Sequence, residues 1–483
     1  MALLTAALLA GCTGTSPDPG AGAGSPGSPG GDNPVPDVDD PALKVAESEP
    51  VEDSVYPEVG DPGVDALAYD LDLAWEPDTE TLTGVETLVF RSTEDDDDVQ
   101  LDLSAALTVS SVQLDGQEVE HERMGKDLVV RAAVEQDRRY TLRIAYSGTP
   151  TPVTAPTTRS DFSDLGWRIT DSGETWTMQE PYGAYSWYAV NDHPSDKALY
   201  SFTISAPSPF VGVANGELVE RTDEDGTTTT RWELDAPAAS YLVTAAIGEF
   251  RMTTDSSPSG VPISYWTAPG DRSGLRSLRV TPEALDWLEA RLGPYPFETL
   301  GIVLVDSQSG METQTMITLG RTEYTTSARV IVHELVHQWY GDLVTPTDWT
   351  ALWMNEGMAM YLQGVWMVEF TPAFRGQTID DLMDEWANFE PILRRESGPP
   401  AAFDPAAFGE GNVYYGPALM WHELRRQVGD DTFWTLVRDW PQVNANGNAT
   451  AEEYLAWLDE RTDRDLTSFF RAWLYGKQSP KRR

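Results

Sequence analysis

The 483-residue sequence contains a single cysteine, few basic residues and no long apolar run. Because Cys12 has no second cysteine to pair with, no disulfide can form within the chain. Lysine and arginine number 33 against 78 aspartate and glutamate residues, which gives a formal net charge of −45. Such a charge repels nucleic acid and anionic membranes, and we expect no nucleic-acid partner. The apolar run at residues 2–10 is far shorter than the roughly 20 residues that span a bilayer.

That short run ends in residues 9–12 (LAGC), which resemble the lipobox of bacterial lipoproteins. The resemblance implies that residues 1–12 are a signal peptide and that lipid is attached at Cys12. The protein would then be exported and held on the outer face of a bacterial membrane. The run lacks the positively charged start of a signal peptide, so either translation begins upstream of Met1 or the run is a chance apolar start. Residues 13–55 are rich in Gly, Pro, Ser and acidic residues and predict a disordered tether.

Residues 56–255 show apolar side chains at every second position, as in Tyr69, Leu71 and Leu73. Runs of this period are separated by turn pairs such as Asp115-Gly116 and Asp225-Gly226. Alternation with short turns is typical of antiparallel strands that bury one face. We therefore predict an N-terminal antiparallel β domain over these residues.

Residues 256–483 change towards helical spacing, with a predicted helix around Pro282–Leu292 and a buried strand at Gly301–Val305. Beyond residue 325 the pattern is mainly helical, and Thr450 to Glu453 form a capping box before one of the last helices. The predicted fold class is therefore α+β with several domains.

The segment His333-Glu334-Leu335-Val336-His337 carries the first chemical signal. Two histidines four residues apart project from the same side of a helix, so both imidazoles can reach one zinc ion at about 2.0–2.1 Å. Glu334 lies next to the first histidine, where it can accept a proton from an activated water. A hydrogen-bonded pair of core histidines is the structural alternative.

Glu356, in the segment Asn355-Glu356-Gly357-Met358-Ala359, supplies the third candidate ligand. A carboxylate within an otherwise apolar helix is costly unless it is paired or bound to metal. Two histidines and a glutamate form a recurrent catalytic zinc set with an open fourth position. We therefore predict one zinc ion per chain, held by His333, His337 and Glu356.

These two motifs at this spacing resemble the M1 zinc aminopeptidases of the gluzincin clan. The resemblance extends over roughly residues 60–483 and includes GPYPF at 293–297 and WYAVNDHPSDKA at 187–198. It implies a saddle-like β domain followed by a thermolysin-like zinc-peptidase domain. It also implies a hydrolase that removes N-terminal residues from peptides.

The resemblance further implies several substrate-binding residues. Residues 309–313 (SGMET) are similar to the family's Gly-x-Met-Glu-Asn segment, in which the glutamate pairs with the free α-amine of the substrate. Glu312 takes that role here, beside Gly310 and Met311, while Ser309 and Thr313 depart from the family pattern. Gln179 resembles the family glutamine that reaches from the β domain to the substrate.

The family's catalytic tyrosine corresponds to Tyr414, in the segment 413–419 (VYYGPAL). Pro417 stands where the family usually has glycine, so the adjacent Tyr415 remains an alternative. In this scheme Glu334 is the general base and Tyr414 stabilises the oxyanion. Two other functions stay open: an endopeptidase or other hydrolase that leaves Glu312 idle, and a non-catalytic binding lipoprotein.

Overall fold

The computed structural model describes residues 37–462 and 464–482. Cys12, the lipobox-like segment and the first part of the expected tether therefore lie outside the described residues. None of the helices in the described ranges is long and apolar enough to cross a membrane.

The prediction of disorder is wrong for residues 37–55, the end of the expected tether. Pro41–Ala46 form a 3-10 helix that buries Leu43. Arg91 donates from Nη2 to the Ser48 carbonyl at 2.7 Å, and the Asp53 carboxylate accepts a hydrogen bond from the Trp349 amide at 2.9 Å. The segment therefore makes hydrogen bonds with residues of both domains. Amino-acid composition alone does not predict these long-range contacts.

The β domain follows from residue 64. Its strands are β1 (Val64–Glu76), β2 (Thr81–Ser92), β3 (Val99–Asp102), β4 (Leu107–Leu114), β5 (Gln117–Glu118), β6 (Glu120–Met124), β7 (Asp127–Arg131), β8 (Arg139–Gly148), β9 (Val153–Thr154), β10 (Asp164–Ile169), β11 (Thr175–Met178), β12 (Lys197–Pro207), β13 (Val211–Ala214), β14 (Glu217–Glu224), β15 (Thr227–Ala239) and β16 (Ala245–Gly248). Short 3-10 helices lie at Ala184–Ser186 and Ser240–Leu242.

The largest sheet has the strand order β14-β15-β12-β1-β2-β8-β4-β5, and a second has the order β13-β16-β11-β10-β9. The predicted alternation is confirmed on β1, where Tyr69, Leu71 and Leu73 are all buried. Asp115-Gly116 and Asp225-Gly226 have positive φ and join adjacent strands as two-residue hairpin loops. The sheet is not wholly antiparallel, because β1 pairs with β12 in parallel.

The catalytic domain has strands β17 (Arg251–Ser256), β18 (Pro262–Thr267), β19 (Leu300–Val305), β20 (Gly310–Met311), β21 (Met316–Gly320), β22 (Thr345–Pro346) and β23 (Asn448–Ala449). Its helices are α1 (Arg272–Leu278), α2 (Thr281–Leu292), α3 (Ala328–His337), α4 (Trp353–Phe370), α5 (Ile379–Ala387), α6 (Glu390–Ser397), α7 (Gly411–Val428), α8 (Asp430–Val443), α9 (Ala451–Thr462) and α10 (Thr467–Tyr475). Further 3-10 helices lie at Trp349–Ala351, Pro372–Phe374 and Pro405–Ala407.

Strands β17-β18-β19-β21-β20 form one sheet in that order, against which the helices pack. The predicted helix before residue 293 and the buried strand at 301–305 are confirmed as α2 and β19. The capping box before α9 is also present, since Thr450 Oγ1 accepts from the Glu453 amide at 3.1 Å and Glu453 accepts from the Thr450 amide at 2.8 Å. The expected domain boundary at 255/256 falls inside β17.

The two domains belong to one compact unit. The apolar core of the β domain continues into the catalytic domain through Trp266, Met311, Trp349 and Phe408. Trp266 lies on β18 and Met311 on the edge strand β20, while Trp349 and Phe408 lie just before α4 and α7. The shared core therefore fixes the β domain against the elements that carry the candidate site.

Candidate active site

Helices α3 and α4 bring the three predicted metal ligands together. His333 and His337 lie one turn apart on α3, with ring centroids 4.9 Å apart. Glu356 lies in the first turn of α4, where its Oε2 is 3.1 Å from His333 Nε2 and 3.5 Å from His337 Nε2. One nitrogen from each histidine and one Glu356 oxygen all lie within 4.8 Å of one another.

This geometry fits zinc. Ligands at about 2.1 Å from a tetrahedral ion are about 3.4 Å from one another, close to the two nitrogen–oxygen distances found here. His337 Nδ1 lies 3.1 Å from the Tyr340 carbonyl, so that nitrogen carries the proton and Nε2 keeps its lone pair for a metal. The structural alternative of a hydrogen-bonded histidine pair does not account for the third member, a carboxylate that both Nε2 atoms face.

Helices α4 and α7 approach closely at Gly357. A Cβ on this glycine would lie 2.3 Å from the Cβ of Pro417. Two carbon atoms cannot approach this closely without a clash. Only glycine, which has no Cβ, therefore allows the two helices to pack at this separation. The contact sets Tyr414, on the first turn of α7, beside the helix that carries Glu356.

Tyr414 rather than Tyr415 faces the metal ligands. The Tyr414 ring stacks 5.9 Å from that of His333. Tyr415 projects about 100° further round the helix and packs edge-on against Trp386 and Phe389, at centroid distances of 5.2 and 4.7 Å. Of the two tyrosines, Tyr414 is therefore the one whose ring lies beside a candidate metal ligand.

The predicted substrate segment lies on the edge strand β20 and just after it. A Cβ on Gly310 would lie 3.1 Å from Glu334 Oε1, so a glycine at this position leaves room for that carboxylate. Met311 Sδ accepts a hydrogen bond from the backbone N–H of Gln179 at 3.4 Å, which connects β20 to the β domain. Thr313 hydrogen bonds to the Met316 carbonyl and to Thr318 Oγ1, so this departure from the family pattern is used within the local turn.

Glu312 is buried with its Oε1 lacking a hydrogen-bond partner among the described residues. That oxygen lies 4.0 Å from His337 Nδ1. Burial raises the pKa of Glu312, and the neighbouring His337 partly opposes the shift. An unpaired buried carboxylate beside a metal site is costly unless a cation joins it.

The side chain of Gln179, which is predicted to reach the substrate, makes hydrogen bonds within the β domain. Its Nε2 donates to the carbonyls of Ser240 and Val243 at 2.8 and 2.9 Å. Its Oε1 accepts the indole N–H of Trp187 at 2.9 Å. Gln179 is in the wall of the site, but its amide is committed to holding the β domain together.

Glu180, the next residue, was missed by the sequence analysis. Its Oε1 is buried without a partner in the described part of the chain. One of its carboxylate oxygens lies within 4.8 Å of carboxylate oxygens of Glu312 and Glu356. Burial raises the pKa of Glu180 well above its usual value, and the Glu312 charge adds to the shift. The available signal was an acidic residue between Met178 and Pro181, where the surrounding pattern is apolar.

Glu334 completes a group of four acidic side chains. Burial raises the pKa of Glu334 well above its usual value, with Glu312 the next cause. Glu180, Glu312, Glu334 and Glu356 share a cavity of about 490 Å³. Arg159 and Arg329 also line the cavity, but the acidic side chains outnumber them and favour a cation there.

Comparison with known proteins agrees with this geometry. The sequence model described as the Peptidase M1 N-terminal domain matches residues 65–242, and that of the Peptidase family M1 domain matches residues 276–473. The chain belongs to peptidase family M1. The expected two-domain architecture, a β domain followed by a mainly helical peptidase domain, is confirmed.

Two relatives named aminopeptidase N illustrate the similarity. That of Streptomyces lividans is 26% identical over 447 residues, which cover 85% of this chain and 50% of the relative. That of Canis lupus familiaris is 31% identical over 211 residues, covering 39% of this chain and 21% of the relative. This M1 chain thus spans about half the length, or less, of the full-length relatives that it matches.

Solved structures match over nearly their whole length. An M1 zinc metallopeptidase from Deinococcus radiodurans is 26% identical with a TM-score of 0.79, and the match covers 90% of this chain and 99% of that one. A mutant of that enzyme bound to a Tyr-Ser-Ala substrate matches at 25% identity and a TM-score of 0.77, with the same coverage. The zinc dependence of these neighbours agrees with the donor set formed by His333, His337 and Glu356.

Proposed function

We propose that this M1 family member is a zinc aminopeptidase that removes single residues from the free N-terminus of peptides. The observation that carries this proposal is a pair of carboxylates beside the metal ligands, Glu180 and Glu312, each with a buried Oε1 that has no hydrogen-bond partner in the described part of the chain. Together they suit the positively charged α-amine of a peptide. An internal peptide bond offers no such cation and would leave both carboxylates desolvated and unpaired, at a cost of about 3–5 kcal/mol for a buried ion that lacks its partner.

Zinc, when held by His333, His337 and Glu356, lowers the pKa of a water from about 15.7 to about 7. Glu334 accepts the proton of the attacking water, since its raised pKa suits a group that must hold and then release a proton. The same carboxyl passes the proton to the departing amine. Gly310 supports this role by leaving Glu334 Oε1 free of steric contact.

Tyr414 donates its hydroxyl hydrogen to the oxyanion that develops on the scissile carbonyl. Loss of one such donor typically costs about 2.7–4 kcal/mol of transition-state stabilisation. The stacking of the Tyr414 ring on that of His333 supports this role, because it places the tyrosine beside a candidate metal ligand.

The proposal is tested with aminoacyl fluorogenic amides and their N-acetylated counterparts, assayed with protein of measured zinc content. We expect one zinc per chain and cleavage of the free amides alone. Equal cleavage of free and acetylated substrates would support the endopeptidase alternative and refute the aminopeptidase. Stoichiometric zinc without turnover of any substrate would support the binding-protein alternative.

We also propose that the protein is lipid-anchored at Cys12 on the outer face of a bacterial membrane. The proposal rests on the lipobox-like residues 9–12, which lie outside the described residues. Its test is fractionation of wild type and Cys12→Ser in a bacterial host that processes lipoproteins. We expect only the wild type in the membrane fraction, and equal recovery of both there would refute the anchor.

A further inference from the structure

The loop between β9 and β10 connects the β domain to the segment that leads into α7. The Pro156 carbonyl accepts the Phe408 amide at 2.9 Å, and Thr157 Oγ1 donates back to the Phe408 carbonyl at 2.8 Å. Thr158 also donates to the carboxylate of Glu410. Three consecutive loop residues thus fix the chain that enters the helix of Tyr414.

Arg159 follows these three residues and reaches Tyr414 itself. Its Nη1 donates to the Gly409 carbonyl at 2.9 Å and to the Tyr414 hydroxyl oxygen at 3.3 Å. Its Nε and Nη2 donate to the two carboxylate oxygens of Asp161 at 3.1 and 2.5 Å. The guanidinium lies 4.3 Å from the centroid of the Phe162 ring. The cation is therefore held by an acid, a carbonyl and an aromatic face.

Gly409 and Asp161 limit where the Arg159 guanidinium can lie. Gly409 has φ +65°, and a Cβ there would lie 3.1 Å from Phe162 Cζ and 3.7 Å from Arg159 Nη1. Asp161 accepts a further hydrogen bond from Ser309 Oγ at 3.3 Å. The hydrogen bonds that hold Arg159 therefore extend through Asp161 to Ser309, the residue immediately before β20.

The direction of the hydrogen bond has a chemical consequence. When the tyrosine oxygen accepts from a guanidinium, its own hydrogen remains available for donation into the cavity. Donation from a cation polarises the O–H group and strengthens the bond that the hydroxyl makes next. Burial raises the pKa of Tyr414 well above its usual value and Glu356 adds to this, while the Arg159 charge opposes it.

We propose that Arg159 is a positioning residue for catalysis, which orients and polarises the Tyr414 hydroxyl towards the oxyanion. The β domain then completes the catalytic centre in addition to forming one wall of the cavity. This inference rests on the proposed peptidase function and adds to it a residue that acts through Tyr414 and not on the substrate.

The test is a double-mutant cycle that combines Arg159→Met with Tyr414→Phe, assayed on a free aminoacyl amide. In the wild-type background we expect Arg159→Met to lower kcat by about 10- to 100-fold, the effect of losing a charged hydrogen bond, with little change in KM. In the Tyr414→Phe background, where no hydroxyl remains to be oriented, the same change should alter kcat by less than about threefold. Arg159→Lys should recover part of the lost kcat, because it keeps the charge.

Arg168 offers a matched control in the same domain. It pairs with Asp164 at 2.8 Å and lies 5.8 Å from the Trp176 ring centroid, as Arg159 pairs with Asp161 and contacts Phe162. Arg168 is not in the lining of the catalytic cavity. Arg168→Met should therefore leave kcat unchanged in both backgrounds.

An equal fall in kcat in both backgrounds would overturn the inference, since Arg159 would then act without Tyr414. A rise in KM at unchanged kcat would also overturn it, and would place Arg159 on the substrate. In either case an active wild type leaves the proposed function standing, whereas an inactive zinc-loaded wild type refutes that function first. If Arg159→Met does not fold, Arg159→Lys and Asp161→Asn carry the same cycle.

Discussion

Gly357 and Pro417 touch where the helices of Glu356 and Tyr414 meet. Because the missing Cβ of Gly357 would lie 2.3 Å from the Pro417 Cβ, any larger residue must push α7 away from α4. Glu356, a candidate metal ligand, lies next to the contact on one helix, and Tyr414, the proposed oxyanion donor, lies one turn before it on the other. The contact therefore couples packing to catalytic geometry.

Gly357→Ala should lower both stability and kcat. Overpacking of this kind costs about 1–3 kcal/mol, and a small shift of Tyr414 adds a catalytic loss. Gly364→Ala is the control. Gly364 also lies on α4 but not in the lining of the cavity, and a Cβ there would lie 2.8 Å from Trp386 Cη2. Thermal unfolding and kcat are measured for both. We expect both variants to lose stability and only Gly357→Ala to lose kcat, and equal kcat in the two variants would contradict the coupling.

Glu334→Gln should retain zinc and lose nearly all turnover. The three ligands are untouched, but the proton acceptor is gone, and general base catalysis is worth about 10²- to 10⁴-fold. Zinc content and kcat/KM are measured together, with Glu323→Gln as a control for an exposed glutamate. A Glu334→Gln enzyme within about tenfold of wild type would exclude this residue as the base.

Glu312→Ala should raise KM and reduce discrimination against N-acetylated substrates. A carboxylate–ammonium pair at about 4 Å and an effective dielectric of about 20 is worth roughly 4 kcal/mol before desolvation, so a loss of about two decades in kcat/KM is reasonable. Because Glu180 shares the site, Glu180→Ala should act in the same direction. The double variant should lose most of the remaining preference for a free amine.

The comparison of the four variants, wild type included, identifies the amine site. One outcome is that Glu312→Ala leaves the ratio of free to acetylated cleavage unchanged while Glu180→Ala brings it to one. Glu180 would then bind the α-amine, and the role predicted for Glu312 would be wrong. If neither changes the ratio, selection for the N-terminus lies elsewhere in the cavity.

The grouping of the three candidate metal ligands could be predicted from the sequence because their arrangement is mostly local. His333 and His337 lie one helical turn apart, and Glu356 stands out as an acid in an apolar helix. The strands of the β domain were predictable for the same reason, since a period of two survives in any sheet order. The roles of Glu180 and Arg159 depend on contacts with residues more than 100 positions away, which no local pattern encodes.

The same limit applies to Gln179 and to residues 37–55. The local segment predicts that Gln179 contacts the substrate, whereas its hydrogen bonds to Ser240 and Val243 join residues 61 and 64 positions apart, which no local pattern encodes. Residues 37–55 look disordered because few of them are apolar. Their order comes from partners such as Arg91 and Trp349 on both domains.

His193 provides a test of stability against pH. It is buried, its Nδ1 accepts the Ser195 amide at 3.0 Å, and its Nε2 lies 3.8 Å from Asp53 without a hydrogen bond. Burial lowers the pKa of His193 from 6.5 to about 4, with Asp348 partly opposing the shift. Between these values the unfolded chain binds a proton that the folded chain does not, so stability is lost as the pH falls from 6.5 towards 4. The expected loss is about 2 kcal/mol by pH 5 and about 3 kcal/mol by pH 4.

Urea unfolding of wild type, His193→Asn and His121→Asn at pH 7.5 and pH 5 isolates this contribution. Other groups titrate in all three proteins, so the relevant quantity is the difference in the free energy of unfolding between the two pH values. His193→Asn lacks the titrating ring and should lose about 2 kcal/mol less than wild type over this range. His121 lies on β6 of the same domain, a strand with no buried residue, and His121→Asn is the control for the loss of a histidine outside the core. Equal losses in wild type and His193→Asn would mean that the imidazole is protonated in the folded state at pH 5, and the assignment of a neutral buried histidine would be wrong.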